Sequence, residues 1–328
     1  MGITREGAFV LSDDDTASFA LGSDADTLPT VHDNGTRILW PSSTATRELR
    51  VEDAAGGGIR SLGDIDVVFP ILHGPYGEDG TVQGLLELAG LPYVGSGVLA
   101  SALGMDKHFT KTVLEKAGIA VAPWRTVTAR EWRAAPDAVV AAASTLGLPL
   151  FVKPARAGSS VGVSKVSTLS DDAASLAAAI EVALQEDDRI LIEQGISGRE
   201  VECGVLGGRG GAAPRVSVAG EIVMTDREFY DFEAKYLGAS GVDLVCPAVL
   251  TPAELALMQD TAARTFTAID GAGLARVDFF LTEAGFVVNE INTMPGFTPI
   301  SMFPRCWIES GMSYPELIDE LIALALEV

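Results

Sequence analysis

One stretch constrains this chain more than any other: Arg276 to Asn292 alternates in the manner of two strands joined by a short turn. Arg276–Leu281 and Phe286–Asn292 are the expected strands, with Thr-Glu-Ala-Gly between them. A three-residue loop ending in Gly285, a residue free to take positive φ, sets Thr282 opposite Phe286. Asp278 then faces Glu290 and Arg276 faces Asn292, and a period of two puts all four on one side. Facing carboxylates repel unless a cation lies between them, and Asp, Glu and Asn oxygens suit a hard divalent ion. The alternative is the solvated polar face of an ordinary hairpin, and this stretch by itself does not choose between them.

Charge and cysteine usage narrow the partners. A formal charge of −22 over 328 residues excludes a nucleic acid as the main partner, because phosphate backbones need a basic surface. A small phosphate ligand would need Lys and Arg gathered locally. Cys203, Cys246 and Cys306 are odd in number and lack metal-ligand spacing, so they read as buried thiols in a reducing compartment. No apolar run is long enough to span a bilayer, and no basic-then-apolar leader opens the chain. No membrane partner is therefore expected, and the cytoplasm is the expected location.

Along the chain, Gly7–Ser12 reads as a short strand, and residues 12–60 show little periodicity. A segment of that length within a domain must form hairpins or a flap. Val67–Leu72 and Tyr93–Val94 read as strands on either side of a helix, Thr81–Ala89. Gly95, Gly97 and Ala100 nominally satisfy a dinucleotide fingerprint. Glu115, at the spacing of the ribose contact, falls inside the helical run Phe109–Lys116, so the fingerprint is rejected. Residues 106–117 form an amphipathic helix that Gly118 ends. Further strands are expected at Ala120–Thr126, Leu150–Pro154, Val161–Val166, Arg189–Gln194, Glu200–Leu206 and Arg215–Val223. Helices are expected at Asp171–Leu184, from the Thr251-Pro252-Ala-Glu254 start to about Ile269, and at Tyr314–Leu326.

Three further stretches carry chemistry. Lys153 ends an apolar strand and precedes a loop with Gly158, Ser159, Ser160 and Gly162, then another strand. Freed N–H groups there can meet an anion beside the lysine's point charge, although a hairpin with an exposed lysine has the same pattern. Ile190 to Glu200 is an apolar strand breaking into a turn, where Glu193 could meet a purine edge and Glu200 a ribose. By itself that signal is weak, and a plain strand–turn–strand is the better reading of these residues alone. Residues 225–241 are dense in aromatics, with Lys235 beside Tyr236, which suits a lid over a site or a passive loop.

Taken in order, these stretches resemble the D-alanine–D-alanine ligases of the ATP-grasp superfamily. His73-Gly-Pro-Tyr-Gly-Glu-Asp-Gly-Thr-Val-Gln-Gly84 is similar to the family's first signature. Arg276-Val-Asp through Glu290-Ile-Asn-Thr-Met-Pro-Gly296 is similar to its second, and the Lys153 and Tyr230–Tyr236 stretches fall between them. The resemblance runs from about Asp66 to the C-terminus. It implies an α/β fold of the α+β ATP-grasp type in three parts, a truncated α/β domain over 1–100, a central domain over 101–197 and a C-terminal domain over 198–328 carrying the lid 225–241. ATP would lie between the last two parts.

The same resemblance implies a reaction and its residues. ATP phosphorylates the carboxylate of one D-alanine, and the amine of a second then displaces the phosphate. Asp278, Glu290 and Asn292 would hold two Mg²⁺ ions, or Mn²⁺, on the ATP phosphates. Lys107, Lys153 and Lys235 would contact those phosphates, and Glu193, Ile196 and Glu200 the adenosine. Arg276 and the Gly296 N–H would serve the oxyanion, Ser301 the second substrate's carboxylate, and His73 would lie near the substrate. Ser159 and Tyr236 would belong to a hydrogen-bonded group closing the lid, and Tyr236 is the residue type associated with Ala-Ala rather than Ala-lactate. A homodimer is implied. The family's Gly-Gly-x-Ser-x-Glu loop, whose glutamate anchors the first D-alanine, has no counterpart before Ile3, so either the chain lacks its first strand and helix or it is a divergent form of the family. Two alternatives are a ligase making D-Ala-D-Ser or D-Ala-D-lactate, and a nucleotide-binding protein that does not ligate.

Overall fold

Side-chain caps set many of the helix starts. Asp106 accepts from the N–H groups of His108 and Phe109. Thr128, Thr251 and Ser313 each form a reciprocal box with the glutamate three residues on. The structure, a computed structural model, describes residues 1–12, 30–53, 56–158, 161–167, 173–224, 242–298 and 301–327. Two compact units divide the chain: Met1–Val68 with Gly84–Tyr93, and Phe69–Gln83 with Val94–Val328.

In the first unit β1 (Gly2–Ile3) pairs with β2 (Phe9–Val10), and β3 (Arg37–Leu39), β4 (Glu48–Asp53) and β5 (Gly58–Asp64) form an antiparallel sheet. Leu49 and Val51 of β4 point inward with Ile38, while Arg50 and Glu52 point out. The described part of the weakly periodic segment is thus built of hairpins. The expected strands Val67–Leu72 and Tyr93–Val94 shrink to one parallel bridge, Val68 to Tyr93. Pro70 and Pro92 have no N–H to give a ladder, which accounts for the shortfall. Helix α1 (Thr81–Ala89) has the expected bounds.

The second unit begins its helices with α2 (Val98–Met105) and α3 (Lys107–Lys116). A four-stranded antiparallel sheet follows, from β6 (Trp124–Thr128), β7 (Leu150–Pro154), β8 (Ser164–Val166) and β9 (Arg189–Gln194) in the order β6-β9-β7-β8. Between β6 and β7 lie α4 (Ala129–Ala134) and α5 (Pro136–Ser144), neither foreseen; Pro136 starts α5 and divides an alanine-rich stretch into two short helices. The strand expected at 120–126 begins only at Trp124, since Pro123 and the isolated bridge from Val121 to Val288 occupy the residues before it. Helix α6 (Ala173–Glu186) packs Leu176, Ile180 and Ala183 against Val152, Ile190 and Ile192. Each of the fully buried Val, Leu and Ile side chains among these contributes about 2 kcal/mol by burial.

Five antiparallel strands make the second sheet of this unit: β10 (Arg199–Leu206), β11 (Arg215–Met224), β12 (Val242–Val245), β13 (Leu274–Thr282) and β14 (Gly285–Asn292), in the order β12-β11-β10-β13-β14. Helix α7 (Pro252–Ala268) covers one face, where Met258, Ala262 and Phe266 meet Val201, Cys203, Val277 and Phe279. On the opposite face α8 (Met302–Glu309) lies over β10 and β11, followed by α9 (Tyr314–Leu326). Glycines make that approach fit. A Cβ on Gly204 would stand 2.5 Å from Trp307 Nε1, and one on Gly220 would strike the Met302 thioether.

Cys203 and Cys306 are buried, as expected; Cys246 is only half-buried, with its Sγ 3.7 Å from that of Cys306. No helix among the described residues is long and apolar enough to cross a membrane.

Candidate active site

The hairpin β13–β14 reaches its expected pairing by an unexpected route. Its turn is shorter than expected: Thr282 pairs with Gly285, whose φ is +116°, and only Glu283 and Ala284 lie between them. Thr282 Oγ1 accepts from the Ala284 N–H at 3.1 Å and donates to the Gly285 carbonyl at 2.9 Å. A register shift between Asp278 and Phe279 then leaves Asn289 without a partner, a β-bulge. Beyond it Asp278 faces Glu290 and Arg276 faces Asn292.

The bulge is what separates core from site. In an unbroken strand Phe286 and Val288 would share a face with Glu290 and Asn292. The extra residue sends Phe286, Val288 and Ile291 to the core and leaves Glu290 and Asn292 beside Arg276 and Asp278.

Arg276 is the centre of this face. Its Nε and Nη2 donate to the two oxygens of Asp278, each at 2.7 Å, in a fork. The same Nε stands 3.1 Å from Glu202 Oε2, on β10 directly opposite Asp278. Burial works against the guanidinium's charge, but Asp278, Glu202 and Glu290 outweigh it and raise its pKa well above the ordinary value. Asn292 Oδ1 accepts the Met294 N–H at 2.9 Å, which leaves it a second lone pair.

The signature loop brings two titratable groups to the same charges. Burial pushes the Glu78 carboxyl up to about 7; the Gly74 N–H, Arg276 and Lys107 pull it down and Glu290 pushes it up. Desolvation by the surrounding protein, and then the neighbouring Arg276 charge, lower the pKa of the His73 imidazole, although the residue is still open to solvent.

A second charged cluster lies on the four-stranded sheet. Glu193 on β9 directs Oε2 at Lys153 Nζ, 2.7 Å away, and Oε1 at Lys111 Nζ, 3.2 Å away. The carboxylate and Lys111 are almost wholly enclosed, at 4% and 3% exposure, and Lys153 is 17% exposed. Burial opposes the Glu193 charge, yet Lys153 and Lys111 hold its pKa down to about 2. Lys153 is raised against its own burial by Glu193, Glu290 and Glu200. Lys111 is lowered, chiefly by burial, with the Lys153 charge adding to the effect.

Of the remaining expected residues, Lys107 donates from Nζ to the Ala157 carbonyl at 2.7 Å, tying α3 to the loop that follows Lys153. Ile196 and Glu200 are half-buried, in the turn after β9 and on β10. Gly296 and Ser301 meet: a Cβ on the glycine would stand 2.9 Å from Ser301 Oγ, which accepts the Thr298 N–H at 3.1 Å. Ser159, Lys235, Tyr236 and the whole segment 225–241 lie outside the described residues. Three residues escaped the reading of the sequence: Glu78, Glu202 and Lys111. Glu78 stood inside the quoted signature, and Lys111 lies one helical turn after Lys107, so both had a positional signal; Glu202 had none beyond being an acid in an apolar strand.

Comparison with known proteins gives this geometry a family. Residues 113–323 match the model described as D-ala D-ala ligase C-terminus, and residues 1–96 the one described as D-ala D-ala ligase N-terminus. The chain belongs to the D-alanine–D-alanine ligase family. It is 51% identical over 330 residues to the D-alanine–D-alanine ligase of Pseudarthrobacter chlorophenolicus, covering 99% of this chain and 84% of that one. Identity to the enzyme of that name from Streptomyces coelicolor is 49% over 336 residues, with 99% and 84% covered. Among solved structures, the VanG D-Ala:D-Ser ligase from Enterococcus faecalis is similar with a TM-score of 0.80 at 34% identity, covering 100% of this chain and 88% of that one. The D-alanine–D-alanine ligase from Coxiella burnetii gives 0.73 at 37%, covering 89% and 74%. The mixed α/β architecture, with the four- and five-stranded antiparallel sheets of the second unit, is the ATP-grasp fold of these ligases.

A divalent cation suits what the hairpin offers. Asp278, Glu290 and Asn292 present oxygen donors only, and three carboxylates surround the single Arg276 guanidinium. Among the described residues no group of three or more His, Cys, Asp or Glu side chains is arranged to hold a metal ion, and both Asp278 oxygens are engaged by Arg276.

Proposed function

We propose that this chain uses ATP to join two D-alanines through an acyl phosphate, supplying D-alanyl-D-alanine for peptidoglycan. The observation that carries the reading is 51% identity across 99% of the chain with a D-alanine–D-alanine ligase. ATP binds between a central domain, 101–197, and a C-terminal domain, 198–328. Lys107, Lys153 and Lys235 meet its phosphates, and Glu193, Ile196 and Glu200 its adenosine. Glu193, ionised between two lysines, can only accept, which suits an exocyclic amino group. Asp278, Glu290 and Asn292 would hold Mg²⁺, as two ions and with Mn²⁺ as a substitute, which when bound neutralises phosphate charge.

The carboxylate of the first D-alanine takes the terminal phosphoryl group, and ADP leaves. The free amine of the second then attacks the acyl carbon, and phosphate departs from the tetrahedral species. Arg276, held in place by Asp278 and Glu202, and the Gly296 N–H stabilise the oxyanion. Ser301, next to Gly296, binds the second carboxylate. His73 flanks the substrates, and Ser159 with Tyr236 closes the lid 225–241. The protein works as a homodimer in the cytoplasm.

Phosphate release from ATP and Mg²⁺ tests this, with D-alanine alone and with D-serine or D-lactate in competition. D-alanine-dependent release with dipeptide formed is expected; ATP binding without turnover would overturn it. D-serine as second substrate is the alternative reading, favoured by the similarity to a D-Ala:D-Ser ligase at TM-score 0.80.

A further inference from the structure

Asp278 is asked to do two things. Both its oxygens are forked onto Arg276 at 2.7 Å, and the same carboxylate stands opposite Glu290 in the set that suits a divalent cation. A cation drawing on Asp278 weakens its hold on the guanidinium, since the same lone-pair density and charge serve both. An arginine released from that fork would lose its aim.

Glu202 answers this. It sits on β10, between β11 and β13, so its strand is held on both edges. Its side chain is 6% exposed against 15% for Asp278, and its Oε2 is 3.1 Å from the Arg276 Nε. It lies on the far side of Asp278 from β14, away from Glu290. A carboxylate so enclosed needs a cationic neighbour, because an unpaired buried charge costs several kcal/mol. Glu202 is therefore bound to Arg276 for structural reasons, whereas the more open Asp278 is the partner that can be shared.

We propose that Glu202 is a positioning residue for Arg276: it holds the guanidinium while Asp278 turns its charge to a divalent cation. This rests on the metal reading of Asp278 given above. Without the Glu202 charge, Arg276 leans wholly on Asp278 and competes with the cation for it. Glu202→Gln keeps an acceptor for Nε but removes that charge.

The test is Mn²⁺ affinity, read by electron paramagnetic resonance with a non-hydrolysable ATP analogue, so that no turnover is required. Asp278→Asn must first weaken Mn²⁺ at least tenfold; an unchanged affinity would remove the metal reading itself. Glu202→Gln should weaken Mn²⁺ about five- to tenfold with Arg276 present and less than twofold in the Arg276→Met background. Equal losses in both backgrounds would mean a general field effect and overturn the proposal, as would no loss in either. Where Arg276→Met does not melt cooperatively, Arg276→Lys, which keeps a cation but not the fork, is the background, and the Glu202→Gln effect should fall at least by half.

Discussion

Replacing Glu193 by glutamine would leave two lysines enclosed with no anion between them. The carboxylate stands 2.7 Å from Lys153 and 3.2 Å from Lys111, and its pKa is drawn from an ordinary 4.5 down to about 2. That depression corresponds to about 3 kcal/mol, in the range expected on breaking a buried pair. Because the native pKa is the lower one, this stabilisation is present above about pH 4.5 and is lost as pH falls towards 2. At pH 7, Glu193→Gln should therefore lower the stability of the four-stranded sheet by about 3 kcal/mol. The variant has one escape, deprotonation of Lys111, whose pKa burial already lowers. The unfolded chain holds that proton more tightly, so the deficit should shrink as pH rises from 7 towards 10. Hydrogen exchange at the Ile190–Gln194 amides reads the local opening directly, which suits a chain of two compact units. Adding Lys111→Met should restore part of the loss, since one buried cation disappears with the anion. A loss below about 1 kcal/mol at pH 7, or a deficit independent of pH with no rescue by Lys111→Met, would refute the reasoning.

Arg276→Ala should lower kcat for ligation at least about a hundredfold while nucleotide affinity, followed by fluorescence titration, changes a few-fold; equal losses would contradict the oxyanion role. Glu290→Gln should raise the Mg²⁺ concentration needed for half-maximal phosphate release, and an unchanged requirement would take Glu290 out of the metal set. Glu78, pushed up to about 7 from 4.5, favours the folded state below pH 4.5 and loses about 3 kcal/mol of that preference as pH climbs through 7. Glu78→Gln should accordingly gain stability relative to the parent between pH 5 and 8, which melting at a series of pH values would detect.

What the sequence disclosed follows the range of the forces involved. Capped, amphipathic helices were legible because their signals are local: Thr81–Ala89 and Tyr314–Leu326 have the expected bounds, and α7 starts at its Thr251–Glu254 box. Strands Leu150–Pro154 and Arg189–Gln194 were equally plain from their apolar runs. Val67–Leu72 misled because an apolar run says nothing of whether a neighbouring strand can donate to it, and Pro92 cannot. The helices α4 and α5 were hidden because alanine-rich stretches carry little hydrophobic contrast.

The site divides along the same line. Pairing Asp278 with Glu290 needed only the alternation of one hairpin, and it survived a wrong turn length because the bulge at Asn289 compensated by one residue. That compensation is forced by burial. Phe286 and Val288 must enter the core, Glu290 and Asn292 must not, and an even spacing between the two pairs leaves an inserted residue as the only way to divide them. Glu202, by contrast, comes from another strand, and its nearness to Arg276 depends on the β10–β13 register. Lys111 depends likewise on α3 packing over Glu193. Glu202 has no local pattern that distinguishes it from any acid in a strand, and Lys111 has only its place one helical turn after Lys107. Yet both decide whether the legible residues work, since an arginine between carboxylates keeps its place, and a glutamate between lysines its charge, only while those neighbours are buried with them.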